Sequence, residues 1–290
     1  MPVVTPIFDD FAAEIGDLDL SKDLNPSNIK FIEENFWKYS VLIFPEQKLS
    51  HREHIAFGEA LGGLETTIPI YRPGETPRLD MKIADVSNLN SSQKVWSKDD
   101  RMRMFQLGNR LWHTDSSFKH VPAYASALYA RTIAPIGGMT QFADMRAAYD
   151  ALSSTQKSEL EDKVAEHSIF TSRSRLGFND FSEKERQAMP AVRQKLIRTI
   201  PESKRKSLYI ASHAGAIEGE DEAVGRSIID ELLDHATQRQ FVYTHRWRLN
   251  DVVLWDNRCT MHRGTDFDDL RWSRDFQRVT VADKSNTCEI

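Results

Sequence analysis

His113-Thr114-Asp115, answered by a lone His262 far down the chain, constrains the fold more than any other feature of this sequence. In an extended segment residues two apart point to the same side, so His113 and Asp115 can grip one ion while Thr114 faces away. The third ligand must then come from a distant strand, and a barrel brings such elements together. Two neutral imidazoles and one carboxylate take one face of a metal and leave the opposite positions open, which is what non-haem Fe(II) oxygenases need. A His-x-Asp by itself is usually an accident of a core or a strand end. Its surroundings decide.

The chain has 290 residues, enough for one large unit or two small ones, and all-β barrels often reach this length undivided. A net charge of −5 without a clustered basic excess argues against a nucleic-acid surface. The basic run Lys204-Arg205-Lys206 reads as a solvated turn. Two cysteines, Cys259 and Cys288, make no disulfide framework, so a reducing cytoplasm is the expected compartment. The first residues lack a basic region followed by an apolar run, and no stretch approaches the roughly 20 apolar residues of a membrane span.

Local signals sketch the organisation. Asn25-Pro26 starts a helix that runs to Trp37. Val41 to Phe44 is a buried strand ended by Pro45. Ser50-His51-Arg52-Glu53 is a capping box, its helix stopped at Gly62-Gly63, with His51 and His54 read as surface residues. Residues 66–108 hold Pro69, Pro73, Gly74 and Pro77, a strand at Lys82 to Val86, and otherwise irregular chain, the pattern of a lid or substrate loop. Strands follow at Ala127 to Thr132 and Thr140 to Phe142, around a Pro135-Ile136-Gly137-Gly138 turn. Helical insertions are expected at about 144–190 and 221–237, the second with Val224, Ile228, Ile229, Leu232 and Leu233 inward. Phe241 to Trp247 and Val252 to Trp255 carry a hairpin signature, and Phe276 to Val281 is a last strand. Short strands at this rhythm predict a mainly β chain with inserted helices around a double-sheet jelly roll, residues 1–290 forming one catalytic domain.

Beyond the ligand set, Trp112 to Phe118, Gly137-Gly138-Met139-Thr140-Gln141-Phe142, Trp255-Asp256-Asn257-Arg258 through His262-Arg263, and Arg274 with Arg278 resemble the TauD/TfdA family of Fe(II)/2-oxoglutarate-dependent dioxygenases. The likeness spans nearly the whole chain. Within the family it is closest to the branch acting on 2,4-dichlorophenoxyacetate, through Ile83 to Asn88, Asp144 to Leu152 and Gln240 to Trp247. The resemblance implies a double-stranded β-helix core with Fe(II) held by His113, Asp115 and His262, and 2-oxoglutarate and O2 as cosubstrates. It matches Thr140 and Arg274 to the pair on the distal carboxylate of 2-oxoglutarate. Arg278 matches a second arginine near the keto-acid end and the substrate anion. It also points to Asn109 and His213 on the substrate side.

The chemistry is consistent with those roles. A guanidinium supplies a charged fork for a carboxylate that lysine does not. Arg274 and Arg278 are four apart, so on a strand both face one side. For Arg274 the rival is a surface ion pair with Asp268 or Asp269; for His213, a structural imidazole; for Asn109, a loop cap. A lysine that the aryloxyacetate branch carries near Tyr71 is absent here, where the chain reads Ile70-Tyr71-Arg72-Pro73; either Arg72 or Lys82 takes its place, with Tyr71 also on the substrate side, or the substrate differs. The expected substrate is a small anion, an aryloxyacetate such as 2,4-dichlorophenoxyacetate, cleaved to a phenol and glyoxylate. The alternatives are taurine or an alkylsulfonate and, outside the class, a metal-binding jelly roll without turnover. A homo-oligomer is expected.

Overall fold

A computed structural model describes residues 2–22, 24–67 and 77–289. Tyr71 and Arg72, and with them the heart of the expected lid, lie outside the described residues. Seven strands form a large sheet in the order Val3–Phe8, Ala12–Gly16, Val41–Phe44, Val252–Asp256, Ala123–Thr132, Asp275–Ala282 and Ala84–Asp85. Three more form a small sheet, Val242–His245, Thr140–Asp144 and Thr260–Gly264, with Thr140–Asp144 in the middle.

The strand Val41–Phe44 shows why the large sheet is apolar on both sides. Val41 and Ile43 face the small sheet, packing with Leu128, Val253, Trp255, Phe276 and, from the small sheet itself, Phe142. Leu42 and Phe44 face the other way, into a cluster with Ile32, Phe36 and Phe57 from the helices Pro26–Tyr39 and His51–Leu61. A sheet covered on both faces reads as an unbroken apolar run rather than an alternating one. The helices begin where their caps predict. Asn25 accepts from the Asn28 amide with Pro26 at the first position, and Ser50 with Glu53, Ser153 with Gln156 and Ser182 with Glu185 form complete capping boxes.

Several expectations change. The segments 241–247 and 252–255 do not pair as a hairpin. Val242–His245 joins Thr140–Asp144 in the small sheet, while Val252–Asp256 lies between Val41–Phe44 and Ala123–Thr132 in the large one. The turn between them carries the chain across the sandwich. His54 is fully buried, its Nε2 hydrogen-bonded to the Ala127 carbonyl at 3.0 Å, because its helix packs flat on the large sheet. Val224 is exposed, in the first turn of Glu222–Ala236 and beyond the stripe that buries Ile229 and Leu232. The strand expected at 82–86 shrinks to Ala84–Asp85. The segment 66–108 also contains a helix, Arg101–Gln106, started by the Asp100 carboxylate on the Met102 amide.

Candidate active site

His113 and His262 meet through their backbones before their side chains do. The His113 amide donates to the His262 carbonyl at 3.0 Å and the His262 amide to the His113 carbonyl at 2.7 Å, an isolated antiparallel bridge. His262 lies on the small-sheet strand opposite Phe142, its ring 4.6 Å from Trp255 and 4.2 Å from that of His113. His113 Nδ1 donates to the Leu111 carbonyl at 2.7 Å, which leaves Nε2 bare. Both Nε2 atoms aim at one carboxylate. His113 Nε2 is 3.9 Å from Asp115 Oδ1, and His262 Nε2 is 3.7 Å from Asp115 Oδ2. One donor atom from each residue falls within 4.8 Å of the others.

Asn257, which sequence reasoning quoted only as part of a motif, ties this cluster together. Its Oδ1 accepts from the Asp115 amide at 3.1 Å and from Trp255 Nε1 at 3.0 Å, and its Nδ2 donates to Ser126 Oγ at 2.9 Å. Ser126 Oγ donates in turn to Asp115 Oδ2 at 2.7 Å, and the Thr114 hydroxyl donates to the Asn257 carbonyl. Thr114 thus turns to Asn257, although the segment is no strand: His113 makes an isolated bridge and Asp115 opens a turn.

The electrostatics suit a cation. Burial, reinforced at His262 by the neighbouring ring of His113, pushes both imidazoles below their ordinary value, so both are neutral donors at neutral pH. For Asp115 burial opposes ionisation, but the Arg278 guanidinium and the two imidazoles outweigh it and hold the carboxyl below its usual range. Arg278 Nη1 rests directly on Asp115 Oδ1, while its Nε donates to Thr280.

Arg274 does not share a strand face with Arg278 as expected: it stands one residue before the strand Asp275–Ala282, and the register shifts between Asp275 and Phe276. Its guanidinium lies 3.5 Å from the centre of the Phe276 ring and 5.8 Å from that of Phe267, and it packs against Gly138, where a positive φ of +67° favours glycine. Phe276 also contacts Trp247, whose Nε1 donates to Thr140 Oγ1 at 2.9 Å. Arg274 has no ion pair with Asp268 or Asp269 among the described residues; Asp269 is taken by Arg103 and Arg110. Its Nε is buried without a hydrogen-bond partner, and burial, with repulsion from Arg110, pushes the group down to about 9. An uncompensated buried guanidinium suits a small carboxylate, so Arg274 fits an end of 2-oxoglutarate, with the Thr140 hydroxyl linked to it through Phe276 and Trp247.

A cavity of about 280 Å³ opens at the ligand cluster, and its lining includes His113, Asp115 and Arg278 together with Leu89, Trp96, Met102 and Phe105. Asn109 and His213 line it too. Asn109 donates to Gln106 Oε1 at 2.6 Å; His213 sits with its ring 6.0 Å from that of His113 and 4.9 Å from Phe118. Lys82 reaches the rim, but its ammonium is paired with Glu59 at 2.6 Å. Arg173, also in the wall, was not anticipated. It stands in Thr171-Ser172-Arg173-Ser174-Arg175, a run that reads as solvated, and no sequence signal marks it.

Two packed sheets, with two imidazoles and a carboxylate brought together at the foot of an open cavity, define a non-haem metal enzyme. The family model described as "Taurine catabolism dioxygenase TauD, TfdA family" matches residues 4–280, and the chain belongs to that family. It is a 2-oxoglutarate-dependent iron dioxygenase. It is 43% identical over 281 residues, 97% of this chain and 98% of the relative, to the alpha-ketoglutarate-dependent 2,4-dichlorophenoxyacetate dioxygenase of Cupriavidus pinatubonensis. The (S)-phenoxypropionate/alpha-ketoglutarate-dioxygenase of Sphingobium herbicidovorans is 34% identical, over 91% of this chain and 90% of its own. The crystal structure of AAD-2 with Mn(II) and N-oxalylglycine superposes with a TM-score of 0.91 at 42% identity, covering 99% of this chain and 98% of that one.

Proposed function

We propose that this chain cleaves aryloxyacetates, working as one catalytic unit on a double-stranded β-helix core. The observation that carries the substrate class is the cavity itself, whose lining combines the ligand cluster and cationic side chains with the apolar and aromatic Leu89, Trp96, Met102 and Phe105. An aryl ring needs the second and its acid group the first. The likeness to enzymes named for 2,4-dichlorophenoxyacetate and phenoxypropionate supports the same reading.

In this reading His113, Asp115 and His262 would hold Fe(II), which would supply the redox chemistry that couples oxidation of 2-oxoglutarate by O2 to oxidation of a substrate C–H bond. The Leu111 carbonyl fixes the His113 tautomer, and Asn257 and Ser126 orient Asp115. Arg274 and Thr140 take the distal carboxylate of 2-oxoglutarate. The apolar lining residues keep water from the reacting carbon. Hydroxylation next to the ether oxygen gives a hemiacetal that collapses to a phenol and glyoxylate, while 2-oxoglutarate leaves as succinate and CO2.

The test is anaerobic loading with Fe(II) and 2-oxoglutarate, then O2 and a panel of aryloxyacetates and alkylsulfonates. Phenol and succinate in equal amounts are the expected result. Sulfite from taurine with no phenol from any aryloxyacetate would overturn the substrate class.

A further inference from the structure

An aryloxyacetate carries its carboxylate on the same carbon that is hydroxylated. The cation that binds this carboxylate must therefore stand beside the ligand cluster, not at the cavity mouth. Five basic side chains line the cavity among the described residues. Four already face carboxylates: Arg78 meets Asp85 and Asp275, Lys82 meets Glu59, Lys119 meets Glu65, and Arg278 meets Asp115.

Arg173 is the exception. It is 4% exposed and has no carboxylate partner among the described residues. Its Nη1 donates to Ser172 Oγ at 2.9 Å, its Nε makes no hydrogen bond, and its guanidinium stacks 4.3 Å from the centre of the Phe105 ring. Burial alone pushes it down to about 9, which still leaves a cation at neutral pH. We propose that Arg173 is the seat of the substrate's anionic head group, a carboxylate on the reading of function above, on which this inference rests.

The neighbours of Arg173 support that assignment. The Ser172 hydroxyl spends its single proton on the Ile169 carbonyl at 2.8 Å, so towards its other two partners it can only accept. One is Arg173 Nη1; the other is His213 Nδ1 at 2.9 Å. His213 therefore carries its proton on Nδ1 and leaves Nε2 as a bare acceptor, which repels a carboxylate. The acid group is turned to the guanidinium. His213 in turn touches the ring of His113, so Arg173 stands one imidazole away from the ligand cluster. Gly108 makes room for it, since a Cβ at that position would fall 2.2 Å from Arg173 Cζ.

The experiment is calorimetric titration of phenoxyacetate and its neutral amide, phenoxyacetamide, into protein carrying Mn(II) and 2-oxoglutarate, where no turnover occurs. Arg173→Gln should weaken phenoxyacetate by about ten- to hundredfold and the amide by less than about threefold, as expected for a lost charge-assisted pair. Arg173→Lys should recover part of the loss, keeping the charge but not the fork. Gly108→Ala, which keeps the arginine but drives it from its seat, should weaken the acid as well. Titration of 2-oxoglutarate into each variant should match wild type, which checks fold and cosubstrate site together. Unchanged phenoxyacetate affinity in Arg173→Gln, or equal losses for acid and amide, overturns the proposal. If wild type binds no aryloxyacetate, the functional reading falls on its own; an alkylsulfonate then replaces the acid, and equal affinity in the variant overturns Arg173 as well.

Discussion

On the floor of the cavity a single side chain, Asn257, bonds to the Asp115 amide, the Trp255 indole and the Ser126 hydroxyl, all of them buried. On the roof, the helix Arg101–Gln106 has no buried residue of its own. It is held by Phe105 against Phe178 and Phe181 and by charged staples such as Arg103 to Asp269. A buried polar network in which each member satisfies its neighbours fixes one geometry and tolerates little change. An aromatic cluster stapled by ion pairs can be repacked residue by residue. The floor is thus suited to chemistry shared by a whole family, and the roof to distinguishing one substrate from another.

That contrast can be broken experimentally. The largest effect is expected on the floor itself: His113→Ala, Asp115→Ala and His262→Ala should each reduce substrate-dependent succinate formation to background while circular dichroism shows a folded chain. Near-normal turnover in one of them at ordinary iron concentrations removes that residue from the ligand set. Arg274→Ala should raise the 2-oxoglutarate requirement by about ten- to hundredfold, and Thr140→Ala by much less, because a charge-assisted fork outweighs a neutral hydroxyl. Equal requirements in wild type and Arg274→Ala would place the cosubstrate elsewhere. Asn257→Ala should lower Fe(II) affinity by about tenfold, measured by competition with a chelator, since second-shell partners orient the ligands. On the roof, Phe105→Ala should shift KM for aryloxyacetates several-fold and leave metal and 2-oxoglutarate affinity untouched. If it loosens the metal too, floor and roof are not separable.

The smallest effect on activity is expected outside both regions, at His54, where only stability should respond. Burial pushes this imidazole down to about 4. Above the ordinary value near 6.5 it is neutral both folded and unfolded, and nothing is lost. As pH falls from there towards 4, the unfolded chain takes up a proton that the folded chain refuses, which costs up to about 3 kcal/mol. Denaturant melts of His54→Gln should show a flatter loss of stability across that window. The same slope in both proteins would mean that His54 does not titrate on unfolding.

What the sequence made legible was whatever is decided locally. The His-x-Asp spacing, the capping boxes and the apolar run Val41 to Phe44 each follow from a few adjacent residues. Pairing did not. Residues 241–247 and 252–255 look like two strands of a hairpin, and both become strands, but the choice of sheet is made by partners about a hundred residues away or more. Val3–Phe8 and Ala12–Gly16 went unread because the first has only Phe8 and Val4 half-buried and resembles an exposed tail. His54 and Arg173 failed in the same way. A polar side chain carries no sign of burial until the apolar surfaces around it are assembled.

The backbone bridge between His113 and His262 also sets a timetable. It joins the middle of the chain to its last strands, and contacts so distant in sequence form late, after most of the entropy of closing the loop has been surmounted. A ribosome that has released His113 and Asp115 has delivered a bidentate grip with no third arm. Metal capture therefore belongs to the finished molecule, and a truncated product missing the final strands has no complete cage in which to keep a redox-active ion.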